Sequence, residues 1–89
     1  MAATLAPEVY RDDIALSLAR VMATANARAR ELGVDATQSL ITVTQRPDEN
    51  RLLWRVSYGP KDYIGRRGGD LILDIEPDGS GIAQVRRGQ

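Results

Sequence analysis

Apolar residues recur along the N-terminal third of the chain at helical spacing. Tyr10, Ile14, Leu18, Val21, Ala25, Ala29 and Leu32 follow one another at intervals of three or four, the stripe of an amphipathic helix. The spacing predicts one helix over about 7–32. Pro7 suits its first turn, Glu8, Asp12 and Asp13 complement the positive end of the helix dipole, Arg28 and Arg30 the negative end, and Gly33 ends it. Ala23, Ala25, Ala27 and Ala29 keep its lower half slim enough to lie close to a sheet.

After Gly33 the period changes to two. Strands are expected at about 39–46, 51–58, 70–76 and 82–87. The clearest is Leu-Leu-Trp-Arg-Val-Ser-Tyr at 52–58, with Leu52, Trp54, Val56 and Tyr58 on one face and Leu53, Arg55 and Ser57 on the other. Pro47-Asp-Glu-Asn50 and Pro77-Asp-Gly-Ser-Gly81 read as turns closing antiparallel hairpins. The third and fourth strands would turn Leu71, Leu73, Ile75, Ala83 and Val85 inward. Helix first and hairpin-linked strands after it predict a single α+β domain, the helix packed on a four-stranded antiparallel meander.

The outer sheet face would carry Thr42, Thr44, Arg55, Asp74, Glu76, Gln84 and Arg86. It would also carry Leu40, Leu53, Ile72 and Ile82, which would form an apolar patch if they cluster. With 89 residues the core is small, and burying that patch between two copies would add stability. A homodimer through Leu40, Leu53, Arg55, Ile72 and Ile82 is therefore expected.

Composition removes most chemistry. The chain has no Cys and no His, which excludes thiolate or imidazole metal sites, disulfides and the usual nucleophile–base pairs. No cofactor is expected. Twelve basic and twelve acidic residues leave a net charge of zero, so nucleic acid finds no global attraction. No stretch is long and apolar enough to span a membrane, and the N-terminus lacks the pattern of a signal peptide. A cytoplasmic protein is the expectation.

Three local constellations bear on function. Asp74 to Gly79 begins like a calcium loop, but its twelfth position is Val85 and its flanks alternate like strands, so a polar hairpin turn is the reading. The carboxylates do not pair for acid–base work, since Asp74 and Glu76 share their face with arginines. The connector after Tyr58 holds Lys61 and the glycine-flanked Arg66-Arg67, which could make an anion-contact loop. A small-molecule or anion binder would then show as a helix–sheet pocket lined by Tyr58, Tyr63 and those arginines. Trp54 reads as the principal core side chain.

The run Trp54-Arg-Val-Ser-Tyr-Gly-Pro60, a glycine-rich connector, and Asp70-Leu-Ile-Leu-Asp-Ile-Glu-Pro-Asp-Gly-Ser-Gly-Ile-Ala-Gln-Val85 resemble the ending of PepSY-like domains. They are similar also to small bacterial immunity proteins of the YrhB or immunity-protein-35 type, with Ile14-Ala-Leu-Ser-Leu-Ala19 as the matching helix segment. The helix here is longer than is usual in these groups. The resemblance implies a non-enzymatic module that binds or inhibits another protein, and it offers no catalytic motif to carry over.

Overall fold

The structure, a computed structural model, describes residues 6–61 and 70–87. It is an α+β fold with the elements α1 (Pro7–Tyr10), α2 (Asp13–Glu31), β1 (Ser39–Asp48), β2 (Arg51–Pro60), β3 (Leu71–Ile75) and β4 (Ile82–Arg87). The strands form one antiparallel sheet in the order β1-β2-β3-β4, the expected meander.

The helical stretch is broken near its start. Asp12 adopts extended backbone and its carboxylate accepts a hydrogen bond from the Ala15 N–H at 2.9 Å, so it caps α2 instead of continuing from α1. An aspartate satisfies free N–H groups at a helix start better than it tolerates a helix interior. The far end stops as predicted. Gly33 takes a φ of 81°, the Val34 N–H reaches back to the Ala29 carbonyl and the Gly33 N–H to the Arg30 carbonyl, a Schellman closure. Asp35 then holds a single 3-10 turn by accepting from the Thr37 N–H and hydroxyl.

The core lies between α2 and the sheet. Val21, Ala25 and Ala29 from the helix meet Val56, Tyr58, Leu71, Leu73 and Ile75, all buried. The β3–β4 turn docks against the middle of α2. Gly79 has a φ of 77°, and a Cβ there would lie 2.7 Å from the Arg20 Cβ and 2.9 Å from the Val21 nitrogen. The Thr24 hydroxyl donates to the Gly79 carbonyl at 2.7 Å. Nearer the helix end, the Tyr58 hydroxyl donates to Asn26 Oδ1 at 2.6 Å.

Two strand boundaries differ from expectation. β1 runs on through Pro47 to Asp48, pairing with Arg51, so only Glu49 and Asn50 make the turn. Proline is tolerated there because β1 is an edge strand, where a missing N–H removes no ladder bond. In β4 the register shifts between Asp74 and Ile75: Asp74 faces Gln84 whereas Ile75 faces Ile82. Ala83 is the extra residue of a bulge. Ile82 therefore packs against the core and Ala83 is exposed, reversing the two expected orientations.

Candidate functional site

The expected outer-face patch does not assemble. Ile82 belongs to the other face, for the bulge just described. Leu53 is on the outer face but only 2% exposed. It is flanked along its strand by Arg51 and Arg55 and faces Arg46 on β1, and arginine stems shield apolar surface while their heads stay polar. Those heads grip carboxylates. Arg55 makes a two-point contact to Asp74, Nε to Oδ1 at 2.9 Å and a second nitrogen to Oδ2 at 3.2 Å, with Arg46 3.8 Å from the same carboxylate. Arg51 binds Glu76 and lies 3.7 Å from Asp48. The contact with Asp74, itself 1% exposed, pushes the Arg55 guanidinium further toward its charged form. Ile72 is half-buried, and Leu40, 50% exposed, sits at the β1 edge. The outer face is a layer of ion pairs over a buried leucine and a buried aspartate.

The open apolar surface lies elsewhere, at one end of the helix–sheet interface. β2 pairs with β3 only over Trp54–Tyr58, whereas its pairing with β1 continues to Arg51. The β1–β2 hairpin therefore outruns the sheet, and the N-terminal half of α2 stands across from the overhang. Between them is an open cleft of about 750 Å³. Ile14, Pro47, Leu52 and Trp54 supply its apolar lining, Asp13 and Glu49 its carboxylates. Ile14 is 68% exposed and Leu52 48%.

Among the described residues neither Asp13 nor Glu49 lies within ion-pair distance of a cation. Arg51, also at the cleft, is engaged by Glu76 and Asp48. The free charge at the rim is negative.

Trp54 has a double position. Half-buried, it packs against the core and also lines the cleft. Tyr58, expected at a pocket, is instead a core residue, and burial pushes its phenol up to about 12. Lys61 is exposed, while Tyr63, Arg66 and Arg67 lie outside the described residues, as does most of the connector. A smaller hollow of about 390 Å³ beside Asn26 and the 3-10 turn holds no apolar anchor comparable to Trp54. Among the described residues no three Asp or Glu side chains converge as a metal ion would need, and no helix is long and apolar enough to cross a membrane.

The sequence reading missed the cleft because it assigned Ile14 to the core stripe and Leu52 to the core face. A signal was present in Asp12, whose capping preference marks where the helix begins. Compared with protein-family models, curated proteins and solved structures, the chain matches none.

Proposed function

We propose that this protein is a non-enzymatic interaction module whose working surface is the cleft between α2 and the β1–β2 hairpin. Its occupant is a short segment of a partner protein that carries apolar anchors beside basic residues. The observation that carries this reading is the pairing of an open apolar floor with two carboxylates at its rim that meet no cation among the described residues. Apolar anchors in a pocket supply binding energy, and rim charge selects the partner and speeds its arrival. Asp74 and Glu76, held by arginines, are poorly placed for acid–base work, which supports a non-catalytic role. The resemblance to PepSY-like and immunity-type domains points to the same class. A cytoplasmic setting belongs to the same proposal, and a sequence without cysteine needs no oxidising compartment.

A second reading rests on size. About 750 Å³ falls within the range of roughly 300–1,000 Å³ usual for small-molecule sites. The same cleft could then hold a compact apolar amine, its cation against Asp13 and Glu49 and its body against Trp54. The acidic rim disfavours an anion there.

An array of short synthetic peptides that varies apolar content and net charge independently separates these outcomes. Labelled protein should bind peptides that are both apolar and basic. Ile14→Glu and Leu52→Glu should each weaken that binding by about tenfold or more, yet melt like the wild type because neither side chain is buried. Binding that ignores peptide charge and apolarity, or that survives both substitutions, would overturn the proposal.

A further inference from the structure

The two edges of the sheet are built differently. β4 is six residues long, bulged opposite Ile75 and closed by Arg86-Arg87. Shortness, a bulge and flanking charge are the means by which sheet edges avoid pairing with other chains. β1 lacks all three over most of its length. It is ten residues long and pairs with β2 without a register shift. Its run Ser39-Leu-Ile-Thr-Val-Thr-Gln45 contains no charge, no glycine and no proline. Leu40, Ile41, Thr42 and Thr44 are exposed along it. Among the described residues no strand lies beyond β1, so alternate N–H and C=O groups point outward with nothing paired to them.

We infer that β1 is an assembly edge, and that its partner is β1 of a second copy of this chain. The run complements itself. An antiparallel two-fold through Thr42 places Thr42 opposite Thr42, Ile41 opposite Val43, Leu40 opposite Thr44 and Ser39 opposite Gln45. Each is a favourable or neutral cross-strand pair, and no like charges meet. Moving the axis one residue to Val43 sets Leu40 against Arg46 and Ser39 against Pro47, which has no N–H to give. Thr42 is the centre that keeps the whole uncharged run paired. Side chains from the helix side stay on the helix side, so the product is one continuous eight-stranded sheet with both copies of α2 on the same face. With a net charge of zero, two copies do not repel each other as a whole. The inference concerns the sheet edge and is independent of what fills the cleft.

Thr42 provides the test, because it is exposed and would meet its own copy across the axis. Light scattering of the wild type over about a hundredfold range of concentration should show mass rising from monomer to dimer. Thr42→Lys and Thr42→Glu should each remain monomeric, with unchanged far-UV dichroism and with melting that matches the dilute, monomeric wild type and does not vary with concentration. An equimolar mixture of the two should regain the doubled mass, since opposite charges then face one another. A wild type that stays monomeric overturns the inference. So does either variant dimerising like the wild type, or a mixture that stays monomeric. Hydrogen exchange needs no variant: the outward-pointing amides within 39–45 should gain at least about tenfold protection in the concentrated wild type, and protection independent of concentration at those amides contradicts the pairing.

Discussion

Tyr58 shows how much one buried polar group ties together. Its ring sits in the core and its hydroxyl finds a single acceptor, Asn26 on α2, so the sheet and the helix share a partly buried hydrogen bond. Burial raises the phenol from its ordinary 10.0 to about 12, because a phenolate there would lose its hydration. The folded pKa lies above the unfolded one, so folding favours the neutral form. That contribution is full below pH 10, shrinks as the pH rises, and is gone above about 12. Denaturant titrations should show stability falling across this window by on the order of 2 kcal/mol. In Tyr58→Phe the Tyr58 share of the fall should vanish, after a constant cost of about 1 kcal/mol for the Asn26 acceptor left unpaired. A wild type whose alkaline profile matches that of Tyr58→Phe would contradict the account.

At the scale of elements, the fold is fixed by how α2 is received by the sheet. The β3–β4 turn touches the helix backbone through Gly79, whereas Gly33, at the helix end, has nothing within 4 Å of a would-be Cβ. Both have positive φ. Gly33→Ala should cost only the conformational penalty, about 1 kcal/mol, while Gly79→Ala adds a steric one and should cost roughly 2–4 kcal/mol. Chemical denaturation of both variants measures the difference, and equal losses would mean that the turn does not seat on the helix. Elements of this kind were legible in the sequence where period and punctuation agree. The lower helix stripe, the Gly33 stop and the four strands with their hairpin turns follow from spacing and turn residues, whereas the order of the strands in the sheet is supplied by the structure. Boundaries that depend on a neighbour were not legible. Pro47 reads as a turn residue until β1 is known to be an edge. Ile82 reads as outward until Ala83 is known to bulge. Leu53 reads as exposed until three arginines are placed around it.

For the whole molecule, one mismatch of lengths opens the cleft proposed as the working surface. The apolar stripe of the helix continues to Ile14, and the β1–β2 hairpin continues to Leu52, but β3 stops opposite Trp54. A stripe records that a helix face is apolar and does not record whether a sheet lies beneath all of it. The surplus apolar surface therefore becomes a cleft instead of a core, with Asp13 and Glu49 at its rim. On the outer face, by contrast, Arg46, Arg51, Arg55, Asp74 and Glu76 are engaged with one another. On the proposed account, a molecule so divided would offer one surface to a partner of complementary chemistry and one edge to a copy of itself.

The central claim is that this cleft is the docking surface. Backbone amide shifts of isotope-labelled protein, followed by NMR during titration with a basic, apolar peptide, test it most directly. The account predicts shifts concentrated at Asp13, Ile14 and Ser17 on α2 and at Gln45, Leu52 and Trp54 on the hairpin, with the Trp54 indole moving among them. Shifts centred on the outer face around Arg55 and Asp74, or on no contiguous surface, would contradict it.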